Sequence, residues 1–489
     1  MTGPLAHVRV IDLSNLLAGQ YCARILADLG AEVIKIEAAP TGDTMRDHDA
    51  GDQRRRHLFS YANAGKKSLM LDPGSADTFE IVEKLCLGAD VVVEDFLPGS
   101  GQDWTVEFSD LLEANERLVL CSITPFGRTG PRQGQMATEA MIQALAGTAF
   151  MTGPPGGPPY LTANGFPHTM AASHAGIAVI QALLDRERTG KGQSIDIAML
   201  DTVIAMDCEN IPFVAAEQGR YTPLALGHAA FADTLALYQA KDGYIVIEVW
   251  GQGRGSMWGR LALAMDREDL LQDPRFVGDP ERVTHLDELR PIVEQWLRSF
   301  PSDDAAMEAL VDSKVVSGRV LAPWQTMDLP QVAARSMVRD VASAAGPRIA
   351  VTATPYAFSA TPIAVGDAPR LGEHNAEILQ ALHATSGRGD DASVATTGPT
   401  PARPARIEPA GRHPRERERI TVLDFTSAVA GPYATRILAD LGADVIKVER
   451  PTDGDVIRSY APPGIARGPA FAYTSSGKKS LCIDIADPE

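Results

Sequence analysis

The sequence predicts an α/β fold, a Rossmann-like large domain joined to a smaller α+β domain, and three observations carry that expectation. First, short buried strands alternate with helices: VRVIDL, then YCARILADLG with helical periodicity closed by Gly30, then AEVIKIE. A strand–helix–strand unit of this kind implies a parallel sheet with a right-handed crossover. Second, the texture changes after about Ala225, where LALYQAKDGYIVIEVW reads as a β-hairpin turning at Asp242-Gly243. Third, the stretch Ala18–Arg46 recurs as Ala430–Arg458. The offset is constant, since 424 − 12 and 477 − 65 both give 412, and no gap is needed between Val10/Val422 and Asp72/Asp484. That spacing is far too long for a solenoid and marks the start of a second, partial copy of the same fold.

The remaining elements follow in chain order. A strand at Lys67–Leu71, a helix at Phe79–Leu87, a strand in ADVVVEDF, a helix near Asp110–Ala114 and a strand in RLVLCSITPFG extend the alternation. A loop dense in Gly and Pro occupies Thr152–His168. An Ala-rich helix runs from about Thr169 to Arg188 and stops at Thr189-Gly190. SIDIAML reads as a strand–helix junction. Helices are expected at Ser256–Ala264, Leu286–Arg298 and Asp304–Ser313, and VRDV and PYAFSATPI read as strands returning to the large domain. Residues Ala384–Arg419 lack aromatic and nearly all large apolar side chains, so they cannot bury enough surface to offset their ordering entropy. The expected layout is a large domain at 1–225, a small domain at 226–325, a return to the large domain at 326–383, a disordered linker at 384–419 and a truncated second copy at 420–489.

Bulk properties narrow the function. A net charge of −18 over 489 residues argues against a nucleic-acid binder. The five cysteines form no CxxC pair, which speaks against structural zinc and suits a reducing compartment. The N-terminus has no apolar leader segment, and no apolar run reaches membrane-spanning length. A cytoplasmic location without membrane contact is the expectation.

The motifs ADLGAEVIKIE…GD..R, GKKSL, SITPFGRTGP, LLDRERTGKGQSIDIAMLD and APRLGEHNAEIL resemble those of the family III CoA-transferases, which include formyl-CoA transferase, the carnitine and bile-acid CoA-transferases and the related α-methylacyl-CoA racemases. The resemblance spans residues 5–383 and again 420–489. It implies the fold above, an interlocked pair made by a homodimer or by the two copies of one chain, and CoA transfer between carboxylic acids. The partners implied are an acyl-CoA and a small carboxylic acid; CoA enters as substrate, with no tightly bound cofactor and no metal. In such enzymes an Asp carboxylate attacks the thioester, and glycine-rich loops supply N–H groups to the oxyanion. CoA contacts are implied at Leu16, Leu17, Ala18, Leu71, Asp95 and Phe96, and at Arg450 in the second copy.

The first copy departs from this pattern where it matters. The position of the Asp nucleophile falls on His168, no Asp lies between Asp110 and Asp185, and Glu139 is the sole carboxylate between Glu116 and Asp185. A racemase would need a His at Thr138 and an Asp at His168, and has neither. Basic CoA-contacting positions fall on Ala38, near Asp103 and on Met136, while the second copy keeps Arg450 in place of Ala38. Gln20 stands where the second copy has Pro432. The first copy therefore reads as degenerate, with CoA transfer assigned to the second; the alternatives are a non-catalytic acyl-CoA-binding scaffold or a racemase-like enzyme. Several residues also have plain structural readings. Gly19, Gly30 and Gly65 suit turns, Lys35 and Glu37 suit solvated strand ends, His174 suits a core or interface, Arg54–Arg56 suit a solvated patch, and Arg254 suits a plain loop between strand and helix, where the resemblance implies a glycine-rich substrate loop with Arg254 near an anion.

Overall fold

The computed structural model describes residues 3–46, 53–96, 104, 108–152, 158–163, 165–206, 235–343, 346–361, 365–386, 420–458 and 468–484. Asp103, the boundary at 225/226 and residues 387–419 of the expected linker lie outside the described residues. So do the side chains of Arg54–Arg56. The chain divides into two compact units, one of residues 1–146, 163–206 and 330–420, the other of residues 147–162, 207–329 and 421–489.

The first unit is built on six parallel strands, β1 (Arg9–Asp12), β2 (Glu32–Ala38), β3 (Lys67–Leu71), β4 (Val91–Glu94), β5 (Val119–Thr124) and β6 (Ser194–Ala198), in the order β3-β2-β1-β4-β5-β6. This is the doubly wound order, and it reverses direction between β1 and β4. Ligands of such sheets bind at that reversal, beyond the carboxyl ends of the strands. The helices are α1 (Leu17–Asp28), α2 (Gln53–Asn63), α3 (Thr78–Leu87), α4 (Phe108–Ala114), α5 (Glu139–Leu145), α6 (Phe166–Thr189) and α7 (Met199–Ala205).

Both faces of the sheet are covered, as a parallel sheet requires. On one face α1 and α6 pack Ala18, Cys22, Ala23, Ala171, Ala172 and Ala175 against Val10, Val33, Val91 and Val119. The small side chains let the two helices approach closely. A methyl on Gly176 would sit 3.5 Å from Ile25 Cγ2. The other face buries Ile11, Ile34, Leu69, Val92 and Leu120 under Val82 and Leu85 of α3. Helix α6 ends as expected, with Gly190 at φ 77° donating to the Arg186 carbonyl.

The second unit contains an antiparallel sheet, β7 (Leu235–Gln239), β8 (Tyr244–Glu248) and β9 (Ser317–Arg319), with helices α8 (Met257–Ala264), α9 (Asp279–Thr284), α10 (Leu286–Arg298), α11 (Asp303–Asp312) and α12 (Pro323–Met327). Trp258, Phe276, Leu289, Val293 and Leu310 fill its core. Back in the first unit come α13 (Pro330–Ala334), an antiparallel pair β10 (Val338–Ser343) and β11 (Gly346–Thr352), and α14 (Asn375–Ser386). VRDV lies in β10 as expected. PYAFSATPI does not form a strand: its described residues are irregular, and the pairing partner is β11 upstream of it. Pro355 and Pro362 have no N–H to give to a ladder.

The repeat is visible in the backbone. β12 (Thr421–Asp424), α15 (Ala430–Asp440), β13 (Asp444–Glu449), α16 (Pro469–Ser475) and β14 (Lys479–Cys482) form a parallel sheet in the order β12-β13-β14. Its register is that of the first copy shifted by one constant. Thr421 faces Asp444 as Arg9 faces Glu32, and Ile446 faces Lys479 as Ile34 faces Lys67.

Candidate active site

The carboxyl ends of β1, β2 and β4 carry a buried polar lattice. Asp12 closes β1 and pairs with Lys66 at 2.7 Å; both side chains are fully buried. Lys66 also donates to the Gln20 carbonyl and to Asn63 Oδ1, both at 2.8 Å. Burial drives the Lys66 pKa down to about 8 against the pull of Asp12. Lys35 pairs with Asp43 at 2.8 Å and donates to the Ser14 carbonyl at 2.7 Å. Burial opposes its charge, but Asp43, Asp12 and Glu37 together raise its pKa. Glu37 accepts a two-pronged contact from Arg46, at 2.5 and 2.6 Å, and a third hydrogen bond from Ser68. Lys35 and Glu37 are thus not solvated strand ends. Their partners, Asp43 and Arg46, come from the loop after β2.

Asp95 sits at the reversal point itself. Its carboxyl, just past β4, accepts the N–H groups of Asn15 and Leu16 at 2.8 and 2.6 Å, tying β4 to the loop that starts α1. Burial pushes its pKa up to about 8 despite those donors. Leu17 and Ala18 follow as the buried first residues of α1. Gly19 lies inside α1, and no other residue fits there. A Cβ would fall 2.4 Å from Ser14 Cβ and 3.0 Å from Asp95 Oδ2. Leu71 ends β3, with its carbonyl bonded to Ala39 N at 2.7 Å. The Phe96 ring stacks on Phe108 with centroids 6.2 Å apart. All of these residues lie at the carboxyl end of the sheet. Arg450 belongs to the other unit, exposed and paired with Asp453 at 2.8 Å.

His168 and Glu139 come together at the start of α6. Glu139 opens α5, where the Thr138 side chain caps the helix. Its two carboxylate oxygens accept the N–H of Gly165 at 3.0 and 2.7 Å. Gly165 is the N-cap of α6, at φ 87°, in the left-handed region. His168 is the third residue of that helix. The residue is half-buried, and Nδ1 is sealed without a hydrogen-bond partner among the described residues. Burial lowers the imidazole pKa, while the nearby Glu139 charge pulls it upward.

Other expected residues are used elsewhere. Arg254 is paired with Glu268. His174 Nδ1 meets the Met170 carbonyl at 3.0 Å within α6. Met136, in place of a basic residue, is 75 % exposed. A groove lined by Leu112, Glu116, Lys191 and Ser194 lies at the opposite, amino end of the sheet. Among the described residues no group of three His, Cys, Asp or Glu side chains is placed to hold a metal ion.

The lattice recurs in the second copy, with Asp424–Lys478 at 3.0 Å, Lys447–Asp455 at 2.6 Å and Glu449–Arg458 at 2.6 Å. Sequence reasoning missed Asp12, Lys66 and Asp43, although the +412 alignment carried the signal: the charged types are the same at every counterpart. It also misread Gln20. Gln20 donates to Asp43 at 2.7 Å and accepts from Asn63 at 2.6 Å. The second copy, with Pro432 at that position, instead uses Thr435, whose hydroxyl donates to Asp424 at 2.7 Å and accepts from Lys478 at 2.8 Å. Gln20 thus satisfies the lattice in its own way.

The model of CoA-transferase family III matches residues 5–375 and 418–489. The chain belongs to CoA-transferase family III. It is 34% identical over 391 residues to a succinyl-CoA:mesaconate CoA-transferase of Haloarcula hispanica, covering 77% of this chain and 96% of the relative. A succinyl-CoA–D-citramalate CoA-transferase of Chloroflexus aurantiacus is 31% identical over 78% of this chain and 94% of its own length. A CaiB/BaiF family protein from Brucella suis has a similar solved structure, with TM-score 0.68 and 29% identity over 78% of this chain and all of that one. CoA transfer between acids is therefore the chemistry of this family III chain's relatives, and no helix among its described residues is long and apolar enough to cross a membrane.

Proposed function

We propose that this family III protein acts on an acyl-CoA and a small carboxylic acid, that its first copy supplies the fold, a partner surface and part of the acyl-CoA site, and that CoA transfer itself belongs to the second copy. The observation that carries the division is His168 at the position where the family resemblance implies an Asp nucleophile. The second copy's counterpart of that position is not among residues 420–489. Relatives acting on succinyl-CoA with mesaconate or citramalate support short dicarboxylic acids as substrates. CoA would lie across the carboxyl edge of the sheet, beside Leu16–Ala18, Leu71, Asp95 and Phe96. The Gly19 close approach and the locked Asp95 carboxyl make that edge rigid before ligand arrives. Pairing between copies or between chains, and a cytoplasmic location, complete the reading.

The test is to incubate residues 1–489 with succinyl-CoA and a panel of small dicarboxylic acids. The expected result is acyl-CoA binding without transfer by the wild type, and measurable transfer by His168→Asp. Wild-type transfer that is lost on His168→Ala would overturn the division of labour. Neutral Ala38 and Met136 favour a second reading, a non-catalytic acyl-CoA-binding module. Binding with no transfer by either protein would support it.

A further inference from the structure

The consequence of placing an imidazole where the family pattern places a carboxylate depends on what each group can hold. A carboxylate takes the acyl group as an anhydride, and CoA can then attack the enzyme's own carboxyl carbon and remain bound as a thioester. An imidazole offers no carboxyl carbon to CoA, so CoA must leave. The acyl group is then passed to whatever nucleophile the imidazole can activate.

The surroundings of His168 suit water. Nδ1 is sealed, which leaves Nε2 as the nitrogen available for chemistry. Burial lowers the imidazole pKa and so favours the neutral form, the one that can accept a proton. Glu139 cannot swing away, because both its oxygens are held by Gly165 N at 3.0 and 2.7 Å. Its fixed negative charge stands where it stabilises an imidazolium once one forms. His168 also lies in the first turn of a 24-residue helix. Pro167 has no N–H, so among the described residues the backbone donors of Phe166 and His168 are the ones this turn leaves without an intrahelical acceptor, available to a developing oxyanion.

We infer that the first copy hydrolyses acyl-CoA, with His168 as general base on water, Glu139 beside the imidazolium and the first turn of α6 toward the carbonyl oxygen. This rests on the acyl-CoA-binding reading above. In the step, Nε2 takes a proton from water as the water oxygen bonds to the thioester carbonyl carbon, and the carbonyl electron pair moves to oxygen. The tetrahedral species collapses, the C–S bond breaks, and the proton passes from Nε2 to the departing sulfur. The products are a carboxylic acid and the CoA thiol. No oxidant and no second acid is consumed.

The experiment incubates the full 489-residue chain with succinyl-CoA and no acceptor acid. Free CoA is quantified by chromatography, and succinyl-CoA binding is measured in parallel by calorimetry. CoA release well above the buffer rate is expected. His168→Ala should lower release about 100-fold, the usual worth of a positioned general base, with binding retained. His168→Asp should also lose hydrolysis, a control that keeps a polar group at the position. Binding with release unaffected by both substitutions overturns the inference alone, as does an acylated His168 detected by mass spectrometry. Failure to bind succinyl-CoA overturns the acyl-CoA reading and the inference with it.

Discussion

Glu139 carries the most specific expectation at the residue scale. It fixes Gly165 and sets the charge beside His168, so Glu139→Gln should act on both. Loss of the charge-assisted acceptor should cost roughly 1.5–3 kcal/mol locally and speed amide exchange in the first turn of α6. The His168 pKa should fall further below its ordinary value, because the Glu139 charge is the influence that raises it. Nuclear magnetic resonance titration of the His168 ring checks the sign; a rise would contradict the assignment. Gln20 gives a second test. Gln20→Pro alone removes the amide that links Asp43 and Asn63, and should destabilise the first unit by about 1–3 kcal/mol in denaturant unfolding. Adding Ala23→Thr supplies the hydroxyl that the second copy uses at Thr435 and should recover part of that loss.

Between the two copies, elements of similar sequence differ for reasons that can be traced. In α1 the Gln20 N–H bonds to the Leu16 carbonyl at 3.2 Å. Pro432 has no N–H to make that bond, and α15 starts one position later, after Ala428 in the left-handed region at φ 69°. Strand β1 is paired on both sides, by β2 and β4, whereas β12 is paired with β13 alone among the described residues. Amides of Thr421–Asp424 should therefore exchange orders of magnitude faster than those of Arg9–Asp12 in a hydrogen-exchange experiment. Equal protection would show that β12 has a second partner. The strands and the long helix were legible in the sequence because periodicity and Gly190 mark them locally. PYAFSATPI was misread because its apolar alternation is local while ladder pairing is not. Lys35 and Glu37 were misread for a related reason: their burial depends on Asp43 and Arg46, which the sequence does not show folding back over β2. His168 and Glu139 were legible as residue types at motif positions. Their joining through Gly165 N was not, since it depends on where two helices begin.

At the scale of the whole molecule, the second copy repeats the polar lattice but exposes apolar positions that the first copy buries. Leu423 and Phe425 are 58% and 61% exposed, whereas their counterparts Ile11 and Leu13 are fully buried. What holds the second copy together is thus weighted toward its ion pairs. Arg458 first, with Ser480, holds the Glu449 pKa at about 2. Burial works against the Asp424 charge, but Thr426, Thr435 and Lys478 prevail and hold it at about 2 as well. Both folded values lie below the ordinary carboxylate values, so their contribution is complete above pH 4.5 and is lost as pH falls toward 2. Acid should unfold residues 420–484 before the first unit. The stacked rings of Tyr433 and Tyr473, 5.6 Å apart, report it by resonance shifts. Survival of that stack at pH 2 would contradict the assignment.

If the first copy hydrolyses acyl-CoA as inferred, position 168 does not carry the acyl group covalently. The most direct measurement is to treat the full chain with succinyl-CoA, quench rapidly with cold acid, and map the peptides by mass spectrometry. An unmodified peptide across Phe166–Thr189 is expected while free CoA accumulates. A succinyl adduct on the His168 ring would contradict it.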